Sequence, residues 1–453
     1  MSQLQADADA SNRLGVRALQ EDRALEAVSH LSRAIAADPK HPDALYNLGN
    51  ALLALERFEE AANSYERAVT LRPDDAQAWT NRGISLASLK SFPAALESHA
   101  RAIALKPDFA EAYGNRGMTL QALNRHEAAL ADFERALALK PDDATTRNNL
   151  ALCCLTLGHL LRGWEALEWR WKDGLFAGAR RDFAQPMWLG EQSLQGRTIL
   201  LHDEQGFGDT LQFCRYVPLV AEQGARVVLE VNRDIRPLLV NLAGAERVVE
   251  KGAPLPHFDL HCPMLSLPLA FRTTLDTIPA GVPYLRADAA LVESWRERLG
   301  PKRGLRIGLA WSANRFVAYG RARSIPLAGL LSALPPGAQC LSLQKEMSDE
   351  DRALIAGRTD IQHFGTGFAD TAALIEAVDI VLSVDTSIAH LAGAMGWPVW
   401  ILMLFNGDWR WMLDREDSPW YPTARLFRQP STGDWAGLLD RVRAELSRFK
   451  PSA

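Results

Sequence analysis

The sequence predicts an α-helical superhelix over its first third, followed by an α/β half made of two parallel-sheet domains. Three observations carry that reading. Proline recurs at equal intervals, at positions 39, 73, 107 and 141. Beyond about residue 196, short β-rich apolar runs alternate with helical stretches in two blocks. Finally, Ile380 to Leu402, IVLSVDTSIAHLAGAMGWPVWIL, spells one βαβ unit. In it the strand Ile380–Val384 ends in the polar loop Asp385-Thr386-Ser387, a small-residue helix runs to Gly396, and Trp397-Pro398 stops it before a second apolar run.

A chain of 453 residues exceeds one compact core, so two or three domains are expected. The net charge of −5, with both signs mixed along the chain, leaves no footprint for nucleic acid or an anionic membrane. The start, MSQLQADADASNRLG, has neither a basic segment nor an apolar one, so no signal peptide is expected. No apolar run reaches the length of roughly 18 residues that a membrane helix needs. The five cysteines (Cys153, Cys154, Cys214, Cys262 and Cys340) are scattered without CxxC spacing. They read as small buried hydrophobes in a reducing cytoplasm, not as a disulfide frame or a zinc site.

Aligned on its prolines, the first third repeats itself. Gly15, Gly49, Gly83 and Gly117 fall inside the first helix of each segment. Ala27, Ala61, Ala95 and Ala129, then Ala34, Ala68, Ala102 and Ala136, fall in the second. Small residues at fixed places let two helices cross closely, while Leu48, Tyr65, Trp79, Tyr113 and Phe133 fill the space between. The pattern resembles the tetratricopeptide repeat, with four copies from about residue 8 to 141 and a partial fifth from Ala144. Such arrays stack into a superhelix with a concave binding face.

Asn47, Asn81, Asn115 and Asn149 form a second register with the same period, and Arg13 holds the equivalent place in the first repeat. An asparagine offers both a donor and an acceptor, so a row of them can pair with the backbone of an extended peptide whatever its side chains. The alternative is that each asparagine bonds a neighbouring helix and stabilises the stack. The row is similar to that in the repeat region of O-GlcNAc transferases, and the resemblance implies a polypeptide partner.

After Cys154 the repeat decays into GWEALEWRWK. Trp164, Trp169 and Trp171 there are read as residues that close the solenoid, with sugar stacking as the alternative. The repeat domain is thus placed at 1–172 and a Gly- and Pro-containing linker at 173–195, with α/β domains at 196–290 and 300–446. In the first, the strand Thr198–His202 leads into Gln205-Gly206-Phe207-Gly208-Asp209, then a helix from about Thr210 to Gln223, a strand Val227–Val231 and a helix near Asp234 to Leu242. In the second, the strand Leu305–Trp311 precedes the loop Ser312 to Ser324. Ligands in such folds sit beyond the C-terminal ends of the strands, which picks out three loops: Gln205 to Thr210, Ser312 to Ser324, and Asp385 to Ser387.

Taken together, Gly208-Asp209, Trp311-Ser312 with Arg323-Ser324-Ile325-Pro326, and Asp385-Thr386-Ser387-Ile388-Ala389-His390 resemble the GT-B glycosyltransferases of the ADP-heptose:lipopolysaccharide heptosyltransferase type. The similarity spans roughly Leu194 to Leu446, and its fusion to a repeat array is similar to bacterial protein glycosyltransferases that modify flagellin. The resemblance implies an acceptor-side domain at 196–290, a nucleotide-sugar domain at 300–446, and a metal-independent reaction without a bound cofactor. Asp209 is then the candidate base, with helix capping as its alternative role. Arg323, with Arg321 in reserve, would meet the phosphates. Asp385, Thr386 and Ser387 would hold the donor at a helix N-terminus, with His390 one turn in, either reaching the donor or bonded as a helix residue to the neighbouring loop. Glu204 and Gln205 are candidates to orient the acceptor, and Asp408 and Arg410 to read polar groups of the donor. Trp409, Trp411 and Trp420 are expected either to stack on base or sugar or to pack against the first domain. Two departures touch the donor pocket. Ser387 replaces the family's glycine, and Met403 to Trp411 replaces its LFGPT-like turn, so the nucleotide is left open among ADP, UDP and CMP. The expected function is transfer of a sugar to Ser or Thr of a protein held by the repeats, flagellin being the candidate. The alternatives are a glycan-modifying transferase with repeat-based recruitment, and an inactive repeat adaptor.

Overall fold

The computed structural model describes residues 3–174, 180–313 and 318–451. The chain forms two compact units, Met1–Cys153 and Cys154–Ala453.

In the first unit, eight helices pair in sequence: α1 (Gln3–Gln20) with α2 (Ala24–Ala37), α3 (Pro42–Ala54) with α4 (Phe58–Leu71), α5 (Ala76–Ser88) with α6 (Phe92–Leu105), and α7 (Ala110–Ala122) with α8 (His126–Leu139). A ninth, α9 (Ala144–Thr156), opens the next pair. The repeat glycines set the crossing distance. A Cβ at Gly15 would stand 2.4 Å from Leu31, at Gly49 2.5 Å from Tyr65, at Gly83 2.4 Å from His99 and at Gly117 2.6 Å from Phe133. The same contact is thus made four times, always at the same offset along the chain, with a different occupant each time. Ala27, Ala61, Ala95 and Ala129 are fully buried beside it. Each periodic proline falls two residues past the end of a second helix, where the missing N–H costs no helical bond.

The second unit holds two all-parallel sheets. The smaller contains β1 (Thr198–His202), β2 (Arg226–Val231), β3 (Ala245–Glu250) and β4 (Leu260–Pro263) in the order β3-β2-β1-β4. The larger contains β5 (Arg306–Ala310), β6 (Gln339–Ser342), β7 (Ile361–His363), β8 (Ile380–Val384), β9 (Val399–Met403) and β10 (Ala424–Arg428) in the order β10-β9-β8-β5-β6-β7. The strands β1, β5, β8 and β9 are buried along their whole length, as expected where helices cover both faces. Strand order reverses between β1 and β4 and again between β5 and β8. The loops after β1, β5 and β8 therefore open at the switch points, where a crevice forms.

Two expected helices are shorter than the pattern suggests. The stretch from Thr210 to Gln223 forms Phe207–Phe213, a 3-10 turn at Cys214–Tyr216 and Val217–Glu222, with Pro218 starting the last piece. Near Asp234 to Leu242 only Arg236–Leu239 is helical, again at a proline. Residues 154–172 belong to the second unit. The Trp164 indole, in the helix Leu160–Leu167, donates to the Thr273 carbonyl at 3.0 Å and meets Trp409 and Trp420 edge-on at 5.3 and 6.4 Å. Within the stretch 173–195, residues 175–179 lie outside the described residues.

Candidate active site

A cavity of about 1070 Å³ opens beyond the C-terminal ends of both sheets. Asp209, Arg323, Asp385, Thr386, Ser387 and His390 all line it. Residues 314–317 of the loop Ser312 to Ser324 lie outside the described residues; Ser312 and Ala313 line the cavity.

Asp209 sits in the first turn of the helix Phe207–Phe213, and its two oxygens have different work. Oδ2 accepts from the Gly206 N–H at 2.8 Å, which is the capping role. Oδ1 is ion-paired with Arg410, which lines the cavity beside it. The Arg410 guanidinium also donates to Gln212 Oε1 at 2.6 Å and Asp408 Oδ1 at 2.9 Å, and lies 4.3 Å over the Trp409 ring. Burial pulls Arg410 toward the neutral form, but Asp408 and Asp209 outweigh it and raise its pKa, so the cation is fixed.

Arg323 reaches the loop after β8. Its Nη1 donates to the Asp385 carbonyl at 2.9 Å and lies 3.4 Å from Oδ2 of the same residue. Burial, and then the neighbouring Asp408, push the Asp385 carboxyl up to about 6, against the pull of Arg323 and Arg410. Thr386 caps the helix Ser387–Ala394 through its hydroxyl, which accepts from the Ile388 N–H at 3.3 Å. His390 points back toward the first sheet: a Cβ at Gly208 would stand 2.8 Å from its Cδ2, so the glycine lets the two helices meet. Its Nδ1 is 2.8 Å from the Tyr421 hydroxyl and its ring stacks on Trp411 at 5.4 Å. Burial, aided by Arg410, holds His390 well below the usual histidine range, so it is a neutral hydrogen-bonding group.

Three expectations are corrected. Trp409 does not line the cavity: it is 7% exposed and packs against Trp164 and Trp420. Arg321 is exposed and does not line the cavity, because the turn of helix before Ser324 aims only Arg323 inward. Glu204 turns away to the buried Arg170, with contacts of 3.0 to 3.3 Å. Burial lifts its carboxyl to about 7 despite that partner, and its role is to seat the turn Glu168–Lys172. Gln205 does line the cavity.

The cavity also holds residues that no motif pointed to: Asp203, Asn232, Lys251 and Lys345. Lys251 Nζ meets Asp203 Oδ1 at 2.6 Å, and Lys345 Nζ crosses from the larger sheet to Asp234 at 2.8 Å. Their only signal is position, each lying just past a strand end. The triplet Asp349-Glu350-Asp351 has the Asp-X-Asp spacing of metal-dependent transferases, yet it forms the first turn of the helix Asp349–Ile355. Ser348 caps it, and Asp351 accepts from the Trp311 indole at 3.2 Å. Among the described residues no group of three or more His, Cys, Asp or Glu side chains is placed to hold a metal ion.

In the first unit the side chains of Asn47 and Asn81 bridge neighbouring repeats, and among the described residues those of the other two do not. Asn47 donates to Asn12 Oδ1 at 3.0 Å, and Asn81 to Asn50 Oδ1 at 3.0 Å and to the Tyr46 hydroxyl at 3.4 Å. Asn115 returns to its own helix at Glu111 O, 2.8 Å, while the Asn149 carbonyl accepts from Gln121 at 3.5 Å. All four are half-buried.

Models described as tetratricopeptide repeat match residues 12–71, 46–110 and 82–148. The first unit is a tetratricopeptide repeat array. Among curated proteins, Protein FlbA of Caulobacter vibrioides is 29% identical over 333 residues, which is 67% of this chain and 55% of that protein. The chain therefore spans little more than half of that relative's length. Among solved structures, MamA from Desulfovibrio magneticus RS-1 matches with a TM-score of 0.33 at 21% identity, covering 39% of this chain and 98% of that one. A thermophilic TPR protein of Thermus thermophilus matches with a TM-score of 0.33 at 23% identity, over 37% and 92% of the two chains. Among the described residues no helix is long and apolar enough to cross a membrane.

Proposed function

We propose that the second unit is a metal-independent glycosyltransferase of the GT-B type, moving a sugar from a nucleotide donor to a Ser or Thr hydroxyl of a protein. The observation that carries this is the convergence of Asp209, Arg323, Arg410, the Asp385 loop and His390 in one cavity at two switch points. Glycosyl transfer needs a group to take the acceptor proton and fixed positive charge or dipoles for the departing phosphate. Asp209 on the smaller sheet is the base. Arg323 and the N-terminus of the helix Ser387–Ala394, on the larger sheet, meet the phosphate. As the acceptor oxygen bonds to the anomeric carbon, its proton passes to Asp209 Oδ1, and the bond from that carbon to the phosphate oxygen breaks with the electron pair leaving on phosphate. His390, neutral and held by Tyr421, donates or accepts a hydrogen bond without adding charge. The repeats would hold an extended stretch of a cytoplasmic acceptor, flagellin being the candidate.

One observation favours the inactive-adaptor reading: both oxygens of Asp209 are already engaged, by Gly206 and Arg410. The two readings part on Asp209→Asn. As base, its replacement lowers transfer by at least about 100-fold while the fold and donor binding remain. Unchanged transfer would remove Asp209 from the chemistry.

A further inference from the structure

We infer that Arg410 is a partner-exchanging cation: it binds Asp209 and gives it up to the anionic phosphate of the donor, so that the base is released only when donor is bound. The inference rests on the glycosyltransferase reading and names a regulation within that site.

Four observations point to it. Arg410 follows β9 on the larger sheet, whereas Asp209 and Gln212 belong to the helix after β1 on the smaller one, so the guanidinium bridges the two sheets. Two of its three side-chain bonds are to groups other than Asp209: Nε donates to Gln212 and Nη1 to Asp408. Those anchors keep the guanidinium in place while Nη2, which binds Asp209, changes partner. Third, Arg410 and Asp209 both line the cavity together with Arg323 and Ser387, so a phosphate seated between Arg323 and the helix N-terminus enters the neighbourhood of Arg410. Fourth, Asp209 has a second tether. Its Oδ2 stays on the Gly206 N–H, so loss of Arg410 frees Oδ1 without freeing the side chain.

The chemistry favours the exchange. A diphosphate or phosphate ester brings more negative charge and several acceptor oxygens to Nη2, where Asp209 offers one. Three carboxylates, Asp209, Asp385 and Asp408, surround two arginines, Arg323 and Arg410. An arriving phosphate therefore meets cations that are already paired, and must compete with a carboxylate for each. While Arg410 holds it, the carboxylate facing the acceptor side is covered, which keeps it from activating water before the donor arrives.

The competition gives a test by sign. ADP, UDP, GDP, CDP and CMP are titrated by calorimetry into the full chain, and affinities are compared for wild type, Asp209→Asn, Arg410→Gln and the double variant. Exchange predicts that Asp209→Asn tightens the bound nucleotide about 3- to 10-fold, because the rival for Nη2 has lost its charge. Arg410→Gln should weaken it about 10- to 100-fold. In the double variant the gain from Asp209→Asn should vanish. If Arg410→Gln does not fold, Arg410→Lys keeps the charge but not the fork, and Asp209→Asn alone still decides the sign. Unchanged or weaker binding in Asp209→Asn overturns the exchange, as does a gain that persists in the double variant, since that would be field strength alone. Failure of the wild type to bind any of the five nucleotides would instead overturn the glycosyltransferase reading beneath it.

Discussion

Two buried basic side chains, His99 in the repeats and Arg215 in the α/β unit, are accommodated in opposite ways. In the repeats, His99 takes the place held by Leu31, Tyr65 and Phe133 in the sister repeats. It is fully buried, and neither ring nitrogen has a hydrogen-bond partner among the described residues. In the α/β unit, Arg215 is 4% exposed and hydrogen-bonded through all three of its nitrogens. It donates to the carbonyls of Gln212 and Trp420 at 2.8 Å each and to the Tyr284 hydroxyl at 2.9 Å, with the Tyr284, Trp420 and Tyr421 rings around it. The histidine is tolerated because it discards its charge and serves as a flat ring. The arginine cannot do so, and the fold is built round its charge. Repeat contacts are short-range and interchangeable, as four occupants of one position show. Those of the α/β unit are made once, between segments as distant in the chain as Arg215 and Trp420.

That contrast is most open to attack at Arg215. Arg215→Met strips a charged donor from four acceptors that join the helix after β1 to Pro279, to Tyr284 and to the segment around Trp420. It should lower the stability of the α/β unit by about 3 to 5 kcal/mol. Hydrogen exchange on the full chain would show lost protection in both sheets; protection kept there would mean the charge is dispensable.

His99 probes the other side. Burial, and then Arg116, lower its pKa from 6.5 to about 4. Above pH 6.5 both folded and unfolded chains carry it neutral, and its site contributes fully. As pH falls from 6.5 toward 4 the unfolded chain takes up a proton that the folded chain refuses, so stability falls, by up to about 3 kcal/mol. His99→Phe, copying Phe133, should flatten that slope in denaturant titrations of the full chain followed by helix signal. A slope that persists unchanged would place the titration elsewhere.

The smallest effects are expected at the asparagines. Asn81→Ala loses its bonds to Asn50 and Tyr46 in the neighbouring repeat and should cost about 1 kcal/mol, whereas Asn115→Ala loses only a bond within its own helix and should cost less. If the row also reads a peptide backbone, both changes weaken acceptor capture, measurable by peptide binding to the full chain. Loss confined to stability at Asn81 would leave the row a structural device.

Much of this was open to sequence reasoning, for physical reasons that differ between the units. A contact at a fixed offset, repeated four times, leaves a period in the sequence, so the helices and their crossing points could be placed from the glycine and alanine series that run through Gly49 and Ala61. Parallel strands such as Ile380–Val384, buried on both faces, announce themselves by unbroken apolar runs, and the loops after them follow by topology. Side-chain direction was hidden. Nothing local tells that Trp409 turns into the Trp164 cluster while Arg410, its neighbour, faces the cavity, or that Glu204 pairs with Arg170 while Gln205 looks outward. Those outcomes depend on partners in other, distant segments of the chain. That Met403 to Trp411 departs from the turn expected by resemblance was visible; that it supplies a cation to Asp209 was not.

Whether the cleft transfers a sugar to a protein is read most directly by intact-mass spectrometry of flagellin from cells with and without this protein, alongside cells carrying Asp209→Asn. A transferase with Asp209 as base leaves one or more whole-sugar mass increments on flagellin that require the wild-type chain and disappear in both other strains. Identical masses in all three would contradict it for that acceptor, and increments that survive Asp209→Asn would contradict the assigned chemistry.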